Sequence, residues 1–403
     1  MSLIHDDCPA HATLAVRAGI DTDSAWGAVT PPLVLSSNFS FEGLGRKRAY
    51  DYSRSGNPTR DQLGQALAAL EGGAGAVVTA SGMAAISLVL HALLAPGQRL
   101  LVPHEAYGGS WRLFNALAAK GHFELITADL TDPVALAAAL AREPSLVLVE
   151  TPSNPLLRIT DIRFVCEAAH RAGARVVVDN TFLSPALQQP LALGADVVLH
   201  STTKYINGHS DVVGGAVVAA DPATHELLAW WANALGLTGA PFDALLTLRG
   251  LRTLDARLRV HQENTAALVQ QLDGHPAVAA VHYPGLSGHP GHALARRQQK
   301  GFGAMLSFEL HGGLPAVAAF VEALRWFTLA ESLGGVESLI AHPATMTHAA
   351  MSAGARQAAG IGDGLLRLSV GIEALADLQA DLAQALSRAL VAGIELAPGR
   401  VPA

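Results

Sequence analysis

Cysteine and lysine are scarce in this chain, and their scarcity excludes several kinds of site. Its 403 residues include two cysteines, Cys8 and Cys166, which are too few for a disulfide framework or a cysteine-rich zinc site. The four lysines lie at positions 47, 120, 204 and 300, and 34 acidic against 27 basic residues give a net charge of −7. Because the sequence has no strongly basic region, nucleic acid is not an expected partner.

Charged residues and long apolar runs are also few. Only 15% of the residues are charged and 50% are hydrophobic, which excludes disorder over most of the length. The length of 403 residues suggests two or three domains. The longest apolar run, 84–95, is interrupted by Ser87 and His91 and is shorter than the about 20 residues that span a bilayer. No signal peptide is recognisable at the N-terminus. We therefore expect a soluble cytoplasmic protein with no membrane partner.

Short β-branched runs alternate with alanine- and leucine-rich stretches between about residues 60 and 220. Runs that are apolar throughout are typical of strands buried on both faces of a parallel sheet. The alternation predicts a doubly wound α/β domain. The predicted strands are 75–79, 99–103, 123–128, 146–150, 175–179, 196–200 and 214–219. The predicted helices are 60–70, 83–94, 109–120, 133–141, 161–172 and 185–193.

The pattern becomes less regular after about residue 240 and favours a smaller α+β domain. A long helix or helix pair is predicted at 245–272, and further helices at 314–324 and 374–392. Strands are predicted at 277–283, 302–310 and 365–370. The first 50 residues have no clear period and indicate an extended arm.

Lys204 is the lysine whose position suggests chemistry. Lys47 lies in a basic loop, whereas Lys120 and Lys300 each precede a glycine at the end of a helical stretch, where a cation suits the helix dipole. Lys204 follows the apolar run 196–200 by four residues. It is therefore expected near the carboxyl end of a buried strand, where open α/β sheets bind ligands. A surface lysine is the ordinary alternative.

Asp179 and the turn at Ser81, Gly82 and Met83 add the other parts of a cofactor site. Asp179 ends the apolar run 175–179 and is expected at the same edge of the sheet as Lys204, unless it only caps a loop. A lysine that forms a Schiff base and a carboxylate that keeps a ring nitrogen protonated suit pyridoxal phosphate. Glycine and the first amides of a helix suit its phosphate, although such a turn alone is usually a helix cap.

Ordered segments from Asp51 to Glu373 resemble the Cys/Met-metabolism (transsulfuration) enzymes, which are fold-type I pyridoxal-phosphate proteins. The resemblance is carried by Tyr52-Ser-Arg54-Ser-Gly-Asn57-Pro-Thr59, Ser81-Gly-Met83, Tyr107-Gly-Gly-Ser110, Thr151-Pro-Ser-Asn154-Pro155, Asp179-Asn-Thr181-Phe182, Ser201-Thr-Thr-Lys204-Tyr-Ile-Asn-Gly-His-Ser-Asp211, Glu331-Ser332-Leu-Gly-Gly335-Val-Glu-Ser338 and Leu366-Arg367-Leu-Ser-Val-Gly-Ile-Glu373.

The resemblance implies an architecture and an assembly. A large doubly wound, mainly parallel α/β domain at 60–255 would bind the cofactor, and a smaller C-terminal α+β domain would follow at 256–403. Residues 1–59 would form an N-terminal arm that contacts the neighbouring subunit. A homotetramer, built as a dimer of dimers with shared active sites, is the expected assembly.

The resemblance also assigns roles to residues. Lys204 would attach the cofactor and move protons, Asp179 would pair with the ring nitrogen, and Tyr107 would stack on the ring and act as an acid or base. Asn154 would lie beside the cofactor and the substrate. The phosphate would be held by Ser81, Gly82, Met83, Ser201 and Thr203, joined by Tyr52 and Arg54 of the neighbouring subunit. The substrate would be bound by Arg367, Ser332, Asn154, Glu331, Arg112, Asp51 and Asn233. For Arg112, a helix-face arginine is an equal alternative.

Three features distinguish between members of the family. Methionine γ-lyases typically have a cysteine where this chain has Gly109, and β-lyases tend to have a bulky aromatic residue in place of Glu331. The adjacent Trp230 and Trp231 are most similar to members that perform a γ-replacement. The expected reaction joins an O-acyl-L-homoserine, with succinyl as the expected acyl group, to L-cysteine and gives L-cystathionine and the free acid in methionine biosynthesis.

Other functions remain open from the sequence. The nearest is γ-elimination from cystathionine, followed by sulfhydrylation of an O-acylhomoserine and by a non-catalytic regulator that keeps the cofactor. His282, His289 and His292 share a Gly/Pro-rich region, but we expect no zinc site there because the sequence has no carboxylate or cysteine close to them.

Overall fold

The computed structural model describes residues 9–349, 351 and 353–395. Cys8 lies outside the described residues, and Cys166 is buried. Within the described part of the chain, no helix has the length and apolar character needed to cross a bilayer.

The larger sheet has seven strands in the order β1-β7-β6-β5-β4-β2-β3. Pairing is parallel from β3 to β6, whereas β7 runs antiparallel to both β6 and β1. Residues 201–214 join β6 to β7 without a helix, so the chain simply turns back there. The strands are β1 (Gly75–Thr79), β2 (Arg99–Pro103), β3 (Glu124–Ala128), β4 (Leu146–Glu150), β5 (Arg175–Asp179), β6 (Val197–His200) and β7 (Gly215–Ala219).

Helices cover both faces of this sheet, which confirms the doubly wound fold. Successive residues of β4, such as Leu146 and Val147, belong to hydrophobic clusters on opposite faces, as expected for a strand that is buried on both sides. The helices up to residue 272 are α1 (His11–Arg17), α2 (Pro58–Glu71), α3 (Gly82–Leu93), α4 (Gly108–Ala119), α5 (Pro133–Leu140), α6 (Ile162–Arg171), α7 (Ser184–Leu187), α8 (Pro222–Leu235), α9 (Pro241–Leu251) and α10 (Leu254–Leu272). A 3₁₀ turn at Pro190–Leu193 completes the predicted 185–193 segment.

A second sheet of five strands follows, in the order β10-β11-β12-β9-β8. Its apolar face packs against α12 and α14 in a separate hydrophobic cluster. Its strands are β8 (Val278–His282), β9 (Met305–Leu310), β10 (Thr328–Leu329), β11 (Leu339–Ala341) and β12 (Leu365–Ser369). The remaining helices are α11 (His292–Gln298), α12 (Gly313–Ala323), α13 (Ala353–Ala358) and α14 (Leu375–Glu395).

Helix ends next to the large sheet are set by local capping. The side chain of Asn57 accepts hydrogen bonds from Thr59 N and Arg60 N at the start of α2, and the helix stops at Gly72 in a left-handed conformation, with φ of 75°. Ser81 Oγ accepts a hydrogen bond from Ala84 N over 3.0 Å at the start of α3. The Ser81 cap fixes the chain turn after the carboxyl end of β1, at the same edge of the sheet as Lys204.

Candidate active site

A cavity of about 510 Å³ lies between the carboxyl ends of the large sheet and the second sheet. This is the edge at which open α/β sheets bind ligands. The structure brings thirteen of the predicted residues together at its wall, namely Ser81, Gly82, Met83, Tyr107, Arg112, Asn154, Asp179, Ser201, Thr203, Lys204, Glu331, Ser332 and Arg367.

Lys204 is held at this cavity by the second sheet. Its Nζ donates a hydrogen bond to Ser332 Oγ over 2.7 Å. Gly334, with φ of 75°, lets the Ser332 segment approach, because a Cβ there would lie 2.7 Å from Tyr205 N. Burial lowers the pKa of Lys204 to about 8, and the positive charge of Arg367 acts in the same direction. The amine can therefore exchange protons near neutral pH.

Asp179 ends β5 and lines the cavity with its carboxyl group. One carboxyl oxygen, Oδ1, accepts a hydrogen bond from Thr181 N over 2.9 Å, and Thr181 Oγ1 in turn accepts one from Ser201 N. Burial raises the pKa of Asp179, while the hydrogen bonds of Thr181 oppose that rise. A buried carboxylate of this kind is stabilised by a cationic N–H partner.

Glycines allow the chain turns around the start of α3 to pack closely. A Cβ on Gly82 would lie 2.8 Å from Ser201 Cβ, and one on Gly215 would lie 2.2 Å from Ser81 O. Thr203 Oγ1 accepts a hydrogen bond from Gly214 N, which ties the Lys204 turn to the start of β7. The amide groups at the start of this 12-residue helix favour an anion.

Tyr107 precedes α4 and is 40% exposed at the cavity. Burial raises the pKa of its hydroxyl group, and the negative charge of Glu331 adds to this, whereas Arg112 opposes it. A Cβ on Gly109 would lie 2.6 Å from Tyr107 Cε1 and 3.2 Å from Met83 Sδ. Any larger side chain at position 109 would therefore displace the ring of Tyr107.

Arg367 lies on β12 and is only 3% exposed, so it is not a surface arginine. Its Nη1 donates to Asn154 Oδ1 and its Nη2 donates to Ser332 O, both over 2.9 Å. Burial lowers its pKa to about 10. The described residues offer no hydrogen-bond partner to its Nε, so the fork retains donor capacity for a carboxylate.

These features fit pyridoxal phosphate. A cavity of about 510 Å³ suits a small cofactor together with a substrate. An amine, a buried carboxyl group, a helix N-terminus at Gly82 and an aromatic ring line it, and these are the kinds of group that the cofactor's functional groups require.

Four predicted residues do not line the cavity within one chain. Arg54 Nε donates to Asn233 Oδ1 over 3.0 Å, and the Arg54 guanidinium lies 5.6 Å from the centre of the Tyr52 ring. Asp51 Oδ1 accepts hydrogen bonds from Tyr52 N and Ser55 Oγ. Tyr52 is 50% exposed. The structure thus groups these four residues with each other and not with Lys204.

Sequence reasoning missed other residues of the cavity wall. Glu150 ends β4 and faces the cavity; the signal that identified Asp179, a carboxylate at the end of an apolar run, was also present there. Met346 and Thr347 also line the cavity. They lie in an irregular segment between β11 and α13, where no pattern in the sequence indicated a site.

The histidine-rich region needs one correction. His282 Nε2 lies 3.0 Å from Glu309 Oε1 on the neighbouring strand, so a carboxylate is present although none is close in sequence. The described residues still form no group of three or more side chains that could hold a metal ion.

Comparison with known proteins decides the family. Residues 12–387 match the model of the Cys/Met metabolism PLP-dependent enzymes. The chain belongs to this family. The predicted family and its cofactor, pyridoxal phosphate, are thereby confirmed, and the fold is that of a fold-type I enzyme.

Members of the family with high similarity include cystathionine γ-synthases. A crystal structure from Xanthomonas oryzae pv. oryzae in complex with cystathionine is 74% identical, with a TM-score of 0.95 over 95% of this chain and 99% of that one. The cystathionine γ-synthase of Escherichia coli strain K12 is 58% identical over 371 residues, which are 92% of this chain and 96% of the relative. A cystathionine γ-lyase from Lactobacillus plantarum, complexed with L-serine, is 41% identical with a TM-score of 0.92, and covers 95% of this chain and 100% of that one.

Proposed function

We propose that this enzyme is a cystathionine γ-synthase, which joins an O-acyl-L-homoserine to L-cysteine and releases L-cystathionine and the free acid. The observation that carries the proposal is the 74% identity, over 95% of the chain, to a cystathionine γ-synthase of known structure with cystathionine bound. The expected acyl group is succinyl, and the reaction belongs to methionine biosynthesis.

Lys204 is the proposed proton carrier. When bound, pyridoxal phosphate withdraws electrons from the carbon atoms next to the substrate's amino group. The Lys204 amine then removes and returns protons at Cα and Cβ, which its lowered pKa of about 8 permits. Ser332 Oγ accepts from Nζ and so holds the amine on the side of the cavity that Arg367 occupies.

Asp179 and Tyr107 are proposed to act on opposite parts of the cofactor. Asp179 would keep the ring nitrogen protonated, and the hydrogen bond from Thr181 N fixes the direction of its carboxyl group. The Tyr107 ring would cover the cofactor, with its hydroxyl group placed to exchange a proton with the incoming amino group. The space at Gly109 allows that ring position.

Arg367 and Asn154 are proposed to bind the substrate's α-carboxylate. A guanidinium group suits this bidentate task, and the hydrogen bonds of Arg367 to Asn154 and Ser332 already fix its plane. Burial of Arg367 strengthens its attraction for a carboxylate.

Glu331 and Arg112 are proposed to bind the second substrate. Both line the cavity, and both affect the hydroxyl pKa of Tyr107, so their charges lie on its side. Arg112 would meet a carboxylate of the acyl group or of cysteine. The position of the bound cysteine, and not a change in the shared proton steps, would decide whether the enzyme performs replacement or elimination.

The remaining roles require a neighbouring subunit. We propose that Tyr52 and Arg54 of one subunit complete the phosphate site of another, with Asp51 and Asn233 near its substrate. The exposed ring of Tyr52 supports this. We further propose an arm at 1–59, a cofactor domain at 60–255 and a C-terminal domain at 256–403, in a cytoplasmic homotetramer.

Cystathionine γ-lyase is the second candidate, because a solved γ-lyase shares the fold over 95% of the chain. One assay separates the candidates. The purified protein is given O-succinylhomoserine with and without cysteine, then cystathionine alone, and the products are identified. Cystathionine as the dominant product supports the synthase. Faster release of cysteine and 2-oxobutanoate from cystathionine would establish the lyase, and preference for sulfide over cysteine would indicate a sulfhydrylase.

A further inference from the structure

Glu150 is a buried carboxyl group that the reaction described above does not use. It is the last residue of β4, is 8% exposed and lines the cofactor cavity. Its register partner on β5 is Asp179. Neighbouring strands lie about 4.8 Å apart and paired residues share a face, so the two carboxyl groups stand side by side at the same edge of the sheet.

The nearest charged neighbours of Glu150 do not compensate a second negative charge. Glu105, in the loop between β2 and α4, is itself buried and is paired with Arg158, whose Nε lies 3.4 Å away. In the described part of the chain, no lysine, arginine or histidine nitrogen lies within 4.0 Å of a Glu150 carboxyl oxygen. The titratable groups around it are Asp179 on β5, Glu105 before α4, Tyr107 at the start of α4 and, on other walls of the cavity, Lys204, Arg112, Glu331 and Arg367.

The carboxyl group of Glu150 nevertheless has a structural task. Tyr107 N donates a hydrogen bond to Glu150 Oε2 over 2.9 Å. The carbonyl oxygen of a neutral carboxylic acid can accept this hydrogen bond with the same geometry as a carboxylate oxygen. The contact fixes the start of α4, and therefore the backbone from which the Tyr107 ring reaches over the cavity.

Two adjacent buried carboxyl groups do not both ionise readily, because each negative charge raises the pKa of the other group. Asp179 is the group proposed to pair with the ring nitrogen. Burial raises the pKa of Glu150 to about 8, and the negative charges of Asp179 and Glu105 act in the same direction, against the hydrogen bonds from Tyr107 N and Asn154 N. Burial raises the pKa of Asp179 as well, but the cofactor's ring nitrogen would hold Asp179 ionised, so the proton is expected on Glu150.

We propose that Glu150 is a positioning residue that holds a proton at neutral pH, so that its neutral carboxyl group anchors Tyr107 while Asp179 remains the single carboxylate at the cofactor's ring nitrogen. This inference rests on the proposed role of Asp179, but not on the identity of the acyl donor or of the nucleophile. Ionisation of Glu150 above pH 8 would place a second negative charge beside Asp179.

Two variants separate a neutral from an ionised Glu150. Glu150→Gln keeps the length and the acceptor oxygen but cannot ionise, whereas Glu150→Asp keeps the acid and is one methylene too short to reach Tyr107 N. We expect Glu150→Gln to retain kcat/KM and the dissociation constant for pyridoxal phosphate within about threefold, because its oxygen still accepts the 2.9 Å hydrogen bond. Glu150→Asp should lose about tenfold in kcat/KM and in affinity for pyridoxal phosphate. The reverse order would overturn the proposal.

Infrared spectroscopy of the holoenzyme tests the proton itself and needs no activity. The difference spectrum of the wild type minus Glu150→Gln should contain the carbonyl band of a protonated carboxylic acid below pH 8, shifted by ¹³C-labelled glutamate, and should lose it above pH 8. The matched control, Glu143→Gln, removes an exposed glutamate and should remove only a carboxylate band.

If Glu150→Gln does not fold, the pH-dependent difference spectrum of the labelled wild type gives the same information. A carboxylate band for Glu150 at neutral pH would overturn the proposal even where cystathionine synthesis is intact. If the enzyme does not synthesise cystathionine but the carboxylic acid band is present, only the proposed function is contradicted, and the proposal for Glu150 stands.

Discussion

Lys204 and Ser332 meet where the two sheets face each other, with Lys204 Nζ donating to Ser332 Oγ over 2.7 Å although 128 residues separate them. Lys204 follows β6 of the large sheet, whereas Ser332 lies between β10 and β11 of the small one. Ser332 itself has a φ of 85°, a backbone conformation that residues other than glycine rarely adopt. The position of the reactive amine therefore depends on both sheets.

Ser332→Ala should lower kcat about tenfold and change KM little. The variant removes the hydrogen bond that the amine donates. A hydrogen bond between a charged donor and a neutral acceptor contributes about 1.5 kcal/mol. Steady-state kinetics with O-succinylhomoserine and cysteine measure the effect. Ser387→Ala on the exposed side of α14 is the control, and equal kinetics for both variants would refute the role of Ser332.

Reconstitution of the apoenzyme should depend on pH with a midpoint near 8. Only a neutral amine attacks the aldehyde of pyridoxal phosphate, and burial together with the charge of Arg367 lowers the pKa of Lys204 to about 8. The initial rate at which the cofactor's absorbance changes should rise with pH up to about pH 8 and then level off. A rate that continues to rise to about pH 10, as for an ordinary lysine, would contradict this.

Gly82→Ala should weaken cofactor binding without unfolding the protein. The added Cβ would lie 2.8 Å from Ser201 Cβ, so the turn at Ser201 must move away from the phosphate site. We expect the dissociation constant for pyridoxal phosphate to increase about tenfold, equivalent to about 1.4 kcal/mol. Gly288→Ala, where a Cβ meets nothing within 4 Å, is the matched control and should leave the constant unchanged.

More of the fold than of the site could be predicted from the sequence. Strands at 75–79, 99–103, 146–150 and 175–179 agree with the structure residue for residue, because strands buried on both faces are apolar throughout and end at a polar residue or turn. The direction of β7 could not be predicted in that way, since apolar composition carries no sign of strand direction. β10 and β11 have two and three residues, too few for any period.

The site was predictable where chemistry and strand ends coincide. Lys204 and Asp179 meet both conditions. Glu150 also ends an apolar strand, but the sequence shows no partner that would indicate a task for its carboxyl group. Ser332 and Arg367 lie 128 and 163 positions from Lys204, and only the family resemblance, not the local sequence, placed them near it. Their meeting depends on how the two sheets pack.

Glu71 and His200 form a buried pair behind the sheet edge that carries Asp179. Both side chains are inaccessible to solvent, and Glu71 Oε1 accepts from His200 Nε2 over 2.7 Å and from Asn180 Nδ2 over 2.8 Å. Glu71→Ala should lower the free energy of unfolding by about 1–3 kcal/mol, because a buried donor loses its acceptor.

Urea unfolding at fixed protein and cofactor concentration measures this loss. Glu71→Gln keeps an acceptor oxygen at the same place and should cost less than about 1 kcal/mol. If both substitutions destabilised the protein equally, the negative charge of Glu71, and not its acceptor oxygen, would be the stabilising feature.

Attachment of pyridoxal phosphate to Lys204 is tested most directly by reducing the purified holoenzyme with borohydride and mapping its peptides by mass spectrometry. The reduced cofactor should be found on the peptide that contains Lys204, and the peptides with Lys47, Lys120 and Lys300 should be unmodified. A cofactor on any other lysine, or none on Lys204 in active protein, would contradict the assignment of this cavity as the active site.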